Sequence, residues 1–229
     1  MSEQKPGDII LVNGANKNSL GIRAFQRVKT GMKASYSHVV FCLGSGDIIH
    51  SDMKGGVHRL YIDDLLSECK PNWLALRNTH ISKIPYQDIL EKSIYYQQQS
   101  YNKLLIGLFG GQTPEDASFC SQLVSLIIKD LNVEVDLPDC KKTLPVHFQH
   151  LIEKNGWDDV TREHEEAISI YSRIPNYRES IDKSIQMSKE LQGNTVQTLE
   201  DYHALKGLIK DLPLEDLGVE FWNAKKVNV

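Results

Sequence analysis

One cysteine and two histidines supply the residue types of a thiol nucleophile and its base. Cys120 stands in Ser118-Phe119-Cys120-Ser121-Gln122-Leu123-Val124, at the start of a segment whose apolar residues Leu123, Val124, Ile127, Ile128 and Leu131 recur at helical spacing. A helix N-terminus concentrates unpaired N–H groups and the positive end of the dipole, and both favour a thiolate. His38, in Tyr36-Ser37-His38-Val39-Val40-Phe41, is the leading base, and His50 is the group that would hold it in one tautomer. The implied chemistry is attack of sulfur on a carbonyl carbon. A cysteine is ordinarily a small buried hydrophobe and a strand histidine a satisfied polar group, so position, not residue type, singles these three out. Cys42, Cys69 and Cys140 read as structural or incidental.

The elements that must position them follow from the pattern. Residues 8–13 form a short β-branched run after Pro6-Gly7, and residues 37–43 and 47–51 flank Gly44-Ser45-Gly46, a hairpin signal. Residues 57–60 and 73–77 read as further strands, and residues 20–29 and 61–68 as helices. Pro85 opens a helix expected to reach about Ser100, a second helix spans 117–131, and Pro145 opens a third that Gly156 closes. Pairing 43 with 47 across a three-residue turn sets Val40 opposite His50 and His38 opposite Asp52. The two imidazoles are then diagonal neighbours with Cβ atoms roughly 7 Å apart. A two-residue loop pairing 43 with 48 would throw them onto opposite faces.

The chain has 229 residues, 41% hydrophobic and 24% charged, an ordinary globular mixture. Its 26 basic and 30 acidic residues give a net charge of -4, which offers no bulk attraction to nucleic acid. The longest aliphatic runs, 9–12 and 104–109, are too short to cross a bilayer, so no transmembrane segment is expected. No leader-like start precedes residue 8, and four scattered cysteines without a CxxC pair read as free thiols. The expectation is cytoplasmic synthesis, with any export by a leaderless secretion route. Residues 161–229 carry 12 acidic and 9 basic residues and no strand run. They read as an α-helical extension behind a catalytic domain of residues 1–160.

Pro6-Gly7-Asp8-Ile9-Ile10-Leu11-Val12, Tyr36-Ser37-His38-Val39 and Phe119-Cys120-Ser121-Gln122-Leu123-Val124 together resemble the circularly permuted NlpC-type papain-like hydrolases. That group includes YiiX-type bacterial proteins and lecithin–retinol acyltransferase relatives, and the histidine strand precedes the cysteine helix in it, as here. Ser100-Tyr101-Asn102 and Thr143-Leu144-Pro145 add weaker echoes, while Ser121-Gln122 departs from the Ser-Glu of many members. The match covers about residues 5–160. It implies an α+β, permuted papain-like fold with an antiparallel sheet packed on the cysteine-bearing helix. It also implies Cys120 as nucleophile, His38 as base and His50 as its orienter. The Cys120 N–H is one oxyanion donor, and Tyr101 and Tyr36 are candidates for oxyanion or substrate contacts. The implied activity is amide hydrolysis in peptidoglycan stem peptides or similar peptides. The missing leader adds the expectation of either an effector exported by a specialised machine, with an immunity or regulatory partner, or action inside the cell on turnover peptides, lipids or proteins. No cofactor or metal is implied.

Three rival readings stand beside it. Zinc ligation by two histidines and a cysteine, or by His147 and His150 at i, i+3, lacks HExxH or CxxC spacing. Residues 104–111 are glycine-rich but lack the GK[ST] ending of a phosphate loop. A lipid acyl hydrolase or acyltransferase, or a binding module that keeps the fold without catalysis, would use the same scaffold.

Overall fold

The run Ile9-Ile10-Leu11-Val12 forms β1 (Ile9–Val12), and all four side chains are fully buried. That requires an internal strand covered on both faces, and the topology supplies one. β2 (His38–Gly44), β3 (Asp47–Asp52), β4 (Gly56–Tyr61), β5 (Leu74–Asn78) and β8 (Trp157–Asp159) join β1 in a six-stranded antiparallel sheet of order β4-β3-β2-β1-β5-β8. A separate parallel pair is formed by β6 (Ser100–Tyr101) and β7 (Ala117–Ser118). The computed structural model describes residues 4–15, 17–97, 99–101 and 117–190. Asn102, residues 104–111 and the chain beyond 190 lie outside the described residues.

Helices cover both faces. Ile9, Leu11, Val39, Phe41, Leu43 and Ile49 pack against Leu123, Val124, Ile127 and Ile128 of α4 (Cys120–Asp130) and Ile89 of α3 (Tyr86–Tyr95). Ile10, Val12, Val40, Cys42, Ile48 and Ala75 point the other way, onto Ile62 of α2 (Ile62–Ser67) and Val160 ahead of α6 (Thr161–Tyr171). Strand alternation thus divides the core into two clusters. Helix α1 (Lys17–Thr30) is tied in through Gln26, whose amide donates to the Tyr36 carbonyl (2.9 Å) and accepts from the Val146 N–H (2.7 Å) of α5 (Pro145–Gln149).

A buried charge network fastens α6 to the sheet. Asp8 accepts from Arg77 Nε and Nη2, both at 2.8 Å, and from His164 Nε2 at 2.8 Å, while Arg77 Nη1 also reaches Glu163 at 2.7 Å. Further along, Tyr177 Oη donates to the Ser45 carbonyl (2.8 Å), and Arg178 pairs with Asp64 (2.7 Å). One compact unit runs over Met1–Lys183, and the second unit is Ser184–Val229. Its described part, 184–190, is helical.

Other element limits also differ from expectation. Helix α3 stops at Tyr95, not near Ser100, because the chain turns through Tyr96 and Gln97 to bring the Gln99 carbonyl onto the Val57 N–H (2.8 Å). Helix α4 starts at Cys120, since Ala117 and Ser118 pair with Ser100 and Tyr101. Helix α5 is five residues long and passes into a 3₁₀ turn over His150–Glu153. The strand β8 carries no alternating pattern that would have announced it.

Candidate active site

The β2–β3 hairpin fixes the site through an unexpected turn. Gly44 pairs with Asp47, so the loop is the two residues Ser45 and Gly46, with φ of 55° and 84°. Both residues lie in the left-handed region that a two-residue hairpin turn demands, and a Cβ at Gly46 would strike the Tyr61 ring. A bulge between Cys42 and Gly44 then absorbs the extra residue, so Phe41 still faces Ile49 and Cys42 faces Ile48. The three-residue turn is therefore replaced by a two-residue turn plus a bulge, and the register that brings the histidines together is unchanged. His38 Nε2 lies 2.9 Å from His50 Nδ1.

A third histidine, which the sequence reading passed over, extends the chain. His58 of β4 is the direct cross-strand partner of His50, and their Nε2 atoms are 3.0 Å apart. His58 Nδ1 in turn sits 3.2 Å from the Gly56 carbonyl oxygen. Gly55 makes room for this ring, since a Cβ there would fall 2.9 Å from His58 Nδ1. The only sequence signal for His58 was its parity within a strand flanked by Gly55 and Gly56.

For neutral imidazoles these contacts fix every tautomer. A carbonyl oxygen only accepts, so His58 Nδ1 carries hydrogen and its Nε2 presents a lone pair. His50 Nε2 must donate to that lone pair, which leaves His50 Nδ1 as an acceptor. His38 Nε2 must then donate, and the remaining lone pair of the chain falls on His38 Nδ1. A single backbone carbonyl thereby sets the basic nitrogen of His38 through three rings.

Cys120 is the first residue of α4, with Phe119 as an extended N-cap that offers no side-chain bond. The Ser51 hydroxyl of β3 donates to the Ser118 carbonyl (2.6 Å) and pins the approach to this helix. Paired register between β2 and β3 ends at Phe41 and Ile49, and the Val39 peptide group beyond it acts on the Cys120 thiol, lowering its proton affinity. The peptide groups of Ser121 and of Cys120 itself act in the same direction, while the Ser121 hydroxyl donates to the Thr143 carbonyl (2.7 Å). The thiol thus feels the residue next to His38, and no hydrogen bond joins it to the His38 ring among the described residues.

Compared with known proteins, the sequence matches no family model and no curated protein.

Burial dominates the site's proton affinities. It pushes the Cys120 thiol up to about 11, against the surrounding N–H groups, which pull it down. Burial lowers His38 to about 4, partly offset by the Asp52 carboxylate. It lowers His50 strongly, with the neighbouring imidazoles adding in the same direction. Burial thus opposes the thiolate that the helix terminus favours, and it opposes the charged form of His38 as well.

Tyr36 packs in the apolar cluster that contains Cys120, and burial together with Asp159 raises its phenol. Tyr101 pairs through its backbone with Ser118. His147 Nδ1 accepts from the Leu144 N–H (2.9 Å) at the start of α5, and His150 lies 3.4 Å from Glu153. Those two histidines serve local structure. All four cysteines are free, and no described helix is long and apolar enough to cross a membrane.

Proposed function

We propose that the chain is a cysteine hydrolase in which Cys120 is the nucleophile, His38 the general base and His50 its orienter, on a permuted papain-like arrangement. The observation that carries this reading is the histidine chain from the Gly56 carbonyl to His38. It leaves a lone pair on Nδ1 of His38, the residue beside Val39, whose peptide group acts on the Cys120 thiol. The order of the histidine strand before the cysteine helix supports the same reading.

The neutral resting pair makes proton transfer concerted with attack. His38 Nδ1 takes the thiol proton as sulfur bonds to the carbonyl carbon, and the oxyanion is received by the Cys120 N–H, a donor at the helix start. The tetrahedral intermediate collapses as His38 gives its proton to the departing nitrogen, leaving a thioester. A water molecule, deprotonated by His38, then releases the acid and restores the thiol. Protonation of His38 at Nδ1 needs no rearrangement of the other rings, because Nε2 donates to His50 in both states. The substrates are amide bonds of peptides, peptidoglycan stem peptides first, and the resemblance to NlpC-type hydrolases supports that class. A protein of this kind would act as an effector with an immunity or regulatory partner.

The test is incubation of purified protein with peptidoglycan and, separately, with phospholipid vesicles, each beside Cys120→Ala. Stem-peptide fragments released by the natural chain and not by the variant are expected. Fatty-acid release lost in the variant would transfer the site to lipid esters. No variant-sensitive product from either substrate would favour a binding module.

A further inference from the structure

The same histidine chain ends in a group with the donors of a metal centre. A nitrogen of His50, a nitrogen of His58 and a carboxylate oxygen of Asp52 lie within 4.8 Å of one another. Register explains the triangle: His50 and Asp52 are two apart on β3 and share a face, and His58 stands across from His50. The facing Nε2 atoms, 3.0 Å apart, are held now by one hydrogen. Two metal–nitrogen bonds of about 2.1 Å at an angle between roughly 90° and 110° span a similar distance. The outer contacts are those that orient ligands. His58 Nδ1 donates to the Gly56 carbonyl, and Asp52 Oδ1 accepts from the N–H groups of Lys54 (2.8 Å) and Gly55 (2.6 Å).

We propose that His50, His58 and Asp52 form a binding site for a borderline divalent transition-metal ion of the zinc class, and that its occupation switches off His38. Two imidazoles and a carboxylate suit such an ion better than calcium or magnesium, which take oxygen ligands. A metal ion on His50 Nε2 needs that lone pair, so the hydrogen of His50 moves to Nδ1. His50 Nδ1 then donates to His38 Nε2, and the hydrogen of His38 moves to Nδ1. Each imidazole keeps one hydrogen throughout. The nitrogen that served as base now carries a proton and cannot accept one from Cys120. The switch rests on the reading of Cys120 and His38 as nucleophile and base; the metal site itself does not.

The binding half is tested with Co²⁺ added to Cys120→Ser, which removes the site thiol. One equivalent is expected to give visible d–d bands without a sulfur-to-cobalt charge-transfer band. Asp52→Asn, which keeps the Oδ1 turn contacts, and His58→Gln should each weaken binding at least tenfold, with folding checked by circular dichroism. No bands, a thiolate charge-transfer band, or unchanged affinity in both variants would overturn the site.

The switch is tested by alkylation of Cys120 in the natural chain with and without stoichiometric Zn²⁺. A tenfold or greater slowing is expected, and Asp52→Asn should keep its own zinc-free rate at that concentration. Equal slowing in both would place the zinc on the thiol and overturn the switch, as would no slowing. If the zinc-free rate merely equals that of His38→Ala, the nucleophile–base reading fails, while cobalt binding is judged separately.

Discussion

His38→Ala is expected to lower turnover by about 10²–10⁴-fold, the usual contribution of a positioned general base. The reason is specific to this site. Burial lifts the Cys120 thiol to about 11, so without an acceptor for its proton almost no thiolate exists near neutral pH. The sign of the pH dependence follows. The thiolate is the nucleophile, so the residual rate of His38→Ala should keep climbing with pH toward the thiol's own ionisation. Rate against pH for the natural chain and the variant checks both parts. A variant that retains the natural rate at neutral pH would remove His38 from the chemistry.

Asp8→Ala is expected to cost about 3–5 kcal/mol of folding stability, read as a lower urea midpoint. Asp8 and His164 are almost fully buried, and Arg77 is nearly so. Removing the carboxylate strands a guanidinium and an imidazole that together make three hydrogen bonds to it. Glu163→Ala removes only the partly exposed second partner of Arg77 and should cost about 1 kcal/mol or less. Equal, small losses in the two variants would show that the network does not hold α6 to the sheet. The effect also gives a physical role to the acidic residue in the Pro6-Gly7-Asp8 segment: it anchors the first strand to a helix 156 residues away in sequence.

The pattern of the strands carried most of the sheet, because β1 to β5 have apolar alternation or runs bounded by turn residues. The hairpin register was reachable for the same reason. Its turn was not, since Gly44-Ser45-Gly46 suits a three-residue loop as well as a two-residue loop with a bulge, and only the packing of Tyr61 over Gly46 separates them. The start of α4 at Cys120 was blurred because Ala117 and Ser118 carry no strand signal; they pair only because Ser100 and Tyr101 come alongside. Helix α6 looked like an appendage because its outward face is charged. Its attachment runs through Glu163 and His164 to partners remote in sequence, which no local pattern discloses. Cys120, His38 and His50 were visible as residue types at a helix start and on two neighbouring strands. His58 was not, because its contribution is a tautomer imposed across two strands.

The most direct measurement is a mass-spectrometric map of alkylation over Cys42, Cys69, Cys120 and Cys140 at neutral pH, in the natural chain and in His38→Ala. A working nucleophile and base require Cys120 to react fastest of the four, although it is among the most buried, and to lose that lead in the variant. Slow, His38-independent reaction at Cys120 would contradict that pairing.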